Sequence, residues 1–308
     1  MKKNITYIIS LVALLTSLSG NAQFYYYNNN YVENDITFEL GGSVGIMNCL
    51  TDVGGKKGVG KKFIKDLNMK NSQLAAGGFI SALYKSVIGL RLEGTFGKVK
   101  AYDSVLQGDA SDAKFRYYRN LNFQSKVTEF SAMLEFHPLF LKSYDVTEDN
   151  VPKLSPYLLG GVSMYNFKPM GSINGRLVDL HSLHTEGQGF AEYANRKNYS
   201  LSQINVPLGA GIKYELGPLF NARLEVVHRI LFTDYLDDVS TSYIDPATYA
   251  TNLSASQATL AQAWYNRSIP PAPLKYDAGA KRGESKNNDA YFSFSLKLSF
   301  VLGRNKVN

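Results

Sequence analysis

The sequence predicts an all-β fold, an eight-stranded antiparallel transmembrane β-barrel with short periplasmic turns and long extracellular loops. Three observations carry that expectation. Eight segments alternate apolar and polar residues with a period of two, which keeps each apolar set on one face of a strand and would scatter it around a helix. Charged residues make up 19% of the chain while aromatics reach 13%, from 21 Tyr and 17 Phe against one Trp, a balance suited to strands at membrane interfaces. The chain also opens with an export signal, after which no run of about 20 apolar residues is left to form a membrane helix.

Lys2 and Lys3 give that signal its positive start, residues 8–18 its apolar stretch, and Gly20-Asn21-Ala22 its small-residue cleavage site. Residues 1–22 therefore read as a signal peptide cleaved before Gln23, and the net charge of +7 falls by two on its removal. Residues 23–34, which include Phe24-Tyr-Tyr-Tyr27, read as a periplasmic N-terminal segment, and residues 35–308 as the barrel domain. Cys49 lies far from the cleavage site, and a single Cys excludes a disulfide framework or a four-cysteine metal site within the chain.

The alternating segments are 36–46, 74–84, 88–96, 130–136, 156–167, 204–216, 220–232 and 292–302. In the third, Ile88, Leu90, Leu92 and Phe96 share one face and Arg91, Glu93 and Thr95 the other. An even number of strands, most of them long enough for a tilted crossing of about 9–11 residues, is the outer-membrane pattern. The connections alternate as well. Lys85-Ser86 and Gly217-Pro218 read as tight turns, residues 138–155 as an intermediate connection, and residues 47–73, 97–121, 168–203 and 233–290 as long polar loops. That layout puts both chain ends in the periplasm of a Gram-negative bacterium.

The polar faces hold Arg91, Glu93, Glu129, Glu135, Lys213, Glu215, Arg223, Glu225, Arg229 and Lys297, five of each sign, among Gly and Ser. An eight-stranded barrel has an interior just wide enough for side chains to fill, so these charges are expected to pair in the lumen and plug it. A soluble barrel would turn the same face to solvent.

Other chemistries fit poorly. Gly55-Lys-Lys-Gly-Val-Gly-Lys-Lys62 begins like a phosphate-binding loop, but Lys62 stands where a magnesium-holding Ser or Thr belongs and no strand leads into it. Lys56, Lys57, Lys61, Lys62 and Lys65 suit a basic loop that meets lipopolysaccharide instead. His181, His184 and Glu186 are metal-ligand types without ligand spacing, and Asp234, Asp237 and Asp238 lack the order of a calcium loop. His137 and His228 have no Ser tied to them by motif, so no acyl-processing triad is read. The small charge excess, without a stacking platform, excludes nucleic acid as a partner. No cofactor is expected.

A set of motifs in fixed order adds to this reading. They are Asn48-Cys-Leu-Thr-Asp-Val-Gly-Gly55, Phe115-Arg-Tyr-Tyr-Arg-Asn-Leu-Asn-Phe123, Pro156-Tyr-Leu-Leu-Gly-Gly161, Thr185-Glu-Gly-Gln-Gly189, Val206-Pro-Leu-Gly-Ala-Gly-Ile-Lys-Tyr214, Phe232-Thr-Asp-Tyr-Leu-Asp-Asp-Val-Ser240 and Lys281-Arg-Gly283. In this order the chain resembles the PorG-like family of outer-membrane β-barrels of the type IX secretion system. The resemblance implies a non-enzymatic component of protein transport, in some cells linked to gliding motility. It also implies partners, a periplasmic ring made by a PorK-like lipoprotein and a PorN-like protein. The 138–155 connection, with Tyr144, Asp145, Glu148 and Asp149, is the expected docking element, because it is longer than a barrel turn needs. A small barrel serving envelope integrity or surface adhesion is the alternative.

Overall fold

The computed structural model describes residues 31–55, 68–108, 114–141, 152–269 and 277–306. The expected signal peptide, the Phe24–Tyr27 stretch, the lysines at 56, 57, 61, 62 and 65, and Tyr144, Asp145, Glu148 and Asp149 lie outside these residues. The described strands are β1 (Tyr31–Leu50), β2 (Gln73–Tyr84), β3 (Ile88–Tyr102), β4 (Asn122–Phe136), β5 (Leu154–Ile173), β6 (Arg176–Asp179), β7 (Ser202–Gly217), β8 (Phe220–Leu231) and β9 (Ala290–Lys306). Between them run the helices α1 (Lys114–Arg119), α2 (Thr248–Asn252) and α3 (Ala255–Tyr265).

Eight strands pair antiparallel in the order β1-β2-β3-β4-β5-β7-β8-β9, and β9 pairs back on β1 from Leu50↔Ala290 to Tyr31↔Lys306. The sheet is a closed barrel, which leaves no free edge. β6 is a hairpin on the far end of β5, turned by Asn174-Gly175, both at positive φ as a two-residue hairpin requires. β1 begins at Tyr31, so the residues just before Asp35 belong to the barrel wall and not to a separate N-terminal segment. At one end the turns are short. Lys85 and Ser86 both adopt positive φ, and the turn after β7 falls on Pro218-Leu219, one residue later than the sequence suggests.

Which face is which follows from burial. Leu90, Leu134, Leu158, Leu224 and Leu298 point outward and are 48–61% exposed, whereas Arg91, Glu135, Arg223, Glu225 and Lys297 point inward at 0–1%. An exterior this apolar around an interior this charged is the inverse of a soluble barrel. The chain is a transmembrane barrel of the outer-membrane type.

The strands run on past the apolar belt, and there the polarity reverses in place. In β3 the outward residues change from Leu90, Leu92 and Phe96 to Lys98 and Lys100, while the inward ones change from Arg91 and Glu93 to Val99 and Ala101. β4 and β5 do the same, with Lys126 and Lys168 outward and Val127, Phe123 and Phe167 inward. Above this line the barrel has the ordinary protein arrangement, apolar inside and polar outside. Its core continues into the long loops, where Leu121, Leu183, Leu236, Ile244, Tyr249 and Trp264 are buried together. The loops thus form one packed cap over the barrel mouth. α3 is part of it. Ser254 and Gln257 make a capping box at its start, and Ala258, Ala261 and Trp264 form its buried stripe.

Replacing Leu134 or Leu298 by Arg is expected to oppose membrane insertion by about 2–4 kcal/mol near the bilayer centre. Arg at the inward Ser295 is expected to fail by crowding the lumen instead. Outer-membrane fractionation and heat-modifiable mobility on a gel separate the two. Normal insertion of both Leu variants would invert the assignment of faces.

Candidate functional site

The lumen brings together nine of the ten expected charges. Arg91 on β3 donates to Glu135 on β4, to Glu225 on β8 at 2.6 Å and to Glu93 at 3.2 Å. Arg223 on β8 spans Glu39 at 2.6 Å and Glu135 at 2.9 Å. Lys297 on β9 holds Glu93 at 2.5 Å and Glu225 at 2.7 Å. Lys213 on β7 lies 3.7 Å from Glu39. Nearer the cap, Arg229 pairs with Glu129 at 3.1 Å, while Tyr291 and Asn205 donate to the other oxygen of Glu129.

The tenth residue, Glu215, stands apart at the short-turn end and pairs with Arg304. Its place is taken by Glu39, which sequence reasoning missed. Glu39 sits inward on β1 between Thr37 and Gly41, and accepts from Arg223, Asn221 and Ser299 as well. The signal was present, since Phe38 and Leu40 flank it in the apolar phase.

Two rings order the guanidinium groups. Arg91 and Arg223 each lie within 5.1–5.8 Å of both the Phe79 and Tyr157 centroids. These rings lie flat only because glycine faces them. A Cβ at Gly41 would come 2.6 Å from the Phe79 ring, and one at Gly211 2.5 Å from Tyr157. At the short-turn end His137 bridges Ser155 at 3.0 Å and Glu135 at 3.1 Å and stacks on Tyr157. The three groups of a hydrolytic triad are therefore near one another, with Ser155 brought to His137 by the fold from 18 residues away and by no motif. All three are buried inside the lumen at no more than 1% exposure, facing neither lipid nor solvent. This geometry closes the lumen floor.

The cap is a second constellation, and it gathers the sequence motifs. Arg119 at the end of α1 donates to Asp103 at 2.9 Å, to the Asp52 carbonyl at 2.8 Å and to the Arg282 carbonyl at 2.7 Å. Arg282 in turn donates to Glu186 and to the Asp238 carbonyl, each at 2.7 Å. Glu186 accepts the Ser240 and Thr241 N–H groups, both at 2.9 Å. Asp238 accepts from the Thr185 and Tyr199 hydroxyls, Asp237 from the Val53 and Val239 N–H groups, and Asp289 from the Leu236 N–H. Carboxylates here take the place of strand pairing, satisfying loop N–H groups that burial would otherwise orphan.

The same residues answer the metal question. His181 and His184 each contact a backbone carbonyl, of Tyr199 and Gln188, and Glu186 is committed to Arg282. Among the described residues no three His, Cys, Asp or Glu side chains are arranged to hold a metal ion.

Residues 37–253 match the family model described as a domain of unknown function, DUF6089. The chain belongs to the DUF6089 family. The DUF6089 span takes in every lumen charge except Lys297 and Arg304, and most of the cap. No curated protein matches the chain. Among solved structures it is similar to the N-terminal β-barrel domain of Pseudomonas aeruginosa OprF, at 10% identity over 88% of this chain and 100% of that one, with a TM-score of 0.33. It is also similar to Ail, the attachment invasion locus protein of Yersinia pestis, at 11% identity over 88% and 100% with a TM-score of 0.34. Pseudomonas aeruginosa OprG gives 10% identity over 88% and 97%, with a TM-score of 0.34. The barrel assignment of this DUF6089 protein rests on its own strand pairing.

Burial dominates the cap electrostatics. Burial, with Asp237 and Asp52 beside it, pushes the Asp234 carboxyl up to about 9, and one of its oxygens has no hydrogen-bond partner. Burial and Asp52 push Asp237 up to about 8, and Asp289 is raised by burial and by Asp237 and Asp234. Burial would lower Arg282, but Glu186 and Asp238 raise it above the ordinary arginine value. A carboxyl raised in the folded state supports folding below its unfolded value near pH 4 and loses that support as the pH climbs through its folded value.

Three outcomes follow for this DUF6089 protein. Purified barrel in planar bilayers is expected to show no steady conductance; large stable ohmic channels would defeat the plugged lumen. Arg223→Met, which leaves Glu135 to Arg91 and Glu39 to the more distant Lys213, is expected to cost about 3 kcal/mol in urea unfolding. For the cap, protease resistance of the loops should be greater at pH 5 than at pH 9, and Asp234→Asn should narrow the difference. An unchanged pH profile in that variant would remove Asp234 from the account.

Proposed function

We propose that this protein is a non-enzymatic barrel in the outer membrane of a Gram-negative bacterium, and that it serves the type IX secretion system. In this reading it anchors the periplasmic ring, built by a PorK-like lipoprotein and a PorN-like protein, to the outer membrane. Protein transport, and gliding motility where cells glide, would depend on that anchor. The observation that carries the reading is the convergence of the resemblance motifs. Thr185–Gly189, Thr233–Ser240 and Lys281–Gly283 are far apart in sequence, yet Arg282 donates to both Glu186 and the Asp238 carbonyl in the cap. Motifs wired together in this way are a shared structural commitment and not a chance run of polar loop residues.

A lumen filled with paired charge supports a scaffold over a conduit, since export cargo finds no open path through it. With the short turns in the periplasm, the connection between β4 and β5 is the longest element offered to a periplasmic partner. It contains Tyr144, Asp145, Glu148 and Asp149, the candidate docking residues. Lipid and lipopolysaccharide are the remaining partners, and nucleic acid has no part. The second reading, surface adhesion or envelope integrity, is favoured by the cap, which is the largest packed body outside the barrel and would face the medium.

The test is a variant in which a tight turn replaces residues 142–151. It is expected to fold and remain heat-modifiable, yet to release the periplasmic ring and stop type IX export. If that variant and a deletion of the whole gene both leave export intact, the second reading takes over.

A further inference from the structure

The first outward row above the apolar belt carries three lysines side by side. Lys98 on β3 is the register partner of Lys126 on β4, and Lys126 is the register partner of Lys168 on β5. Lys100 stands two residues further along β3, with its ammonium 5.5 Å from the Tyr102 ring centroid. Like charges directly opposed on neighbouring strands repel, so the row is unfavourable unless an anion joins it. Asp179 on β6 meets one member, Lys168, at 2.9 Å. Lys168 is exposed and Asp179 half-buried, and the pair leaves Lys98 and Lys126 facing each other beside it.

Directly below the row, the belt is hollowed. Gly94 has no side chain between Leu92 and Phe96, and a hollow there runs along the wall from β1 to β7; Leu92, Phe130, Ala132, Val162 and Met164 line its part on β3, β4 and β5, with the lumen residues Phe79 and Glu93 bordering it from within. Lys126 and Phe130 are four residues apart on one strand, roughly 13 Å at strand rise. A basic rim over an apolar groove is the shape of an amphiphile with an anionic head.

We propose that this sector of β3, β4 and β5 binds a phosphorylated lipid of the leaflet nearer the cap, with its phosphate on Lys98, Lys126 and Lys168 and an acyl chain in the groove. Charge complementarity selects the head, because zwitterionic headgroups bring no net charge to cancel the lysine repulsion. Depth selects the tail, because the groove opens within the apolar belt where acyl chains lie. Basic clusters beside a membrane recognise anionic headgroups at about 1 kcal/mol per Lys or Arg. The proposal rests on the transmembrane reading of the barrel and is independent of any role in secretion.

The experiment uses the purified full-length barrel in neutral detergent, first shown to be folded by its heat-modifiable mobility. Lipid A, phosphatidylethanolamine and inorganic phosphate are then added separately, and the temperature of the mobility transition is read. Lipid A alone is expected to raise it. Lys98→Glu with Lys126→Glu, or the milder pair of Gln substitutions, is expected to weaken the lipid A response by about tenfold or more in concentration. Gly94→Leu puts a side chain into the hollow between Leu92 and Phe96, and a Cβ there meets only the Phe130 ring at 3.4 Å, so the barrel tolerates it. That variant is expected to lose lipid A binding with its lysines intact. An equal response to inorganic phosphate, an equal response to phosphatidylethanolamine, or a lysine pair variant that responds like wild type would each overturn the proposal. A wild-type chain with no heat-modifiable folded form would instead count against the barrel reading itself.

Discussion

A barrel of eight strands encloses too little room for water and too much for nothing, so everything else in this protein depends on what fills its lumen. The filling is ionic. Arg91 and Arg223, laid between Phe79 and Tyr157, tie together carboxylates from β1, β3, β4 and β8. Charges taken out of water are costly unless each is met by geometry this complete. The pairs therefore specify the fold more than they stabilise it. A one-residue slip between neighbouring strands would send Arg91 or Glu135 into the lipid and a leucine into the lumen. Glycine is the other half of the constraint, since Gly41 and Gly211 leave the space in which the rings lie.

The cap applies the same logic above the membrane with different parts. Its residues come from loops that share no strand ladder, so buried N–H groups are answered by Asp237, Glu186 and Asp289. Acids outnumber the two buried arginines there, Arg119 and Arg282, and the excess shows as carboxyls held protonated well above their usual range. Lumen and cap are thus two polar cores of different balance, one neutralised by ion pairs and one partly by protons.

Much of this was legible in the sequence, and what was not has physical causes. The eight crossings show because lipid outside and charge inside impose a strict period of two. Their far ends did not show, because past Phe96 and Phe130 the period continues with its polarity inverted, and an inverted strand reads as a polar loop. Glu39 is the single charge of the glycine-rich segment 36–46, where no second charge in phase marks its face. Asn174-Gly175 and Ser254-Ala-Ser-Gln257 are ordinary hairpin and helix-start signals, but each lies in a long polar segment without an apolar period to mark an element. The cap network was beyond reach for a different reason. Many of its bonds join distant loops, from Thr185 to Asp238, 53 positions apart, to Glu284 and Asp52, 232 apart, and no local pattern encodes which loop meets which.

The closure of β1 on β9 bears on the order of events in the protein's life. The strands that seal the barrel are the first and the last in the chain, and the cap is stitched from segments on both sides of nearly every hairpin between them. Contacts of such long range are slow to find. The cap cannot form before the wall that brings its loops together. Until the wall is closed each loop is an open stretch of polypeptide with its aspartates hydrated. The buried acid cluster is a product of the closed barrel and has no existence apart from it.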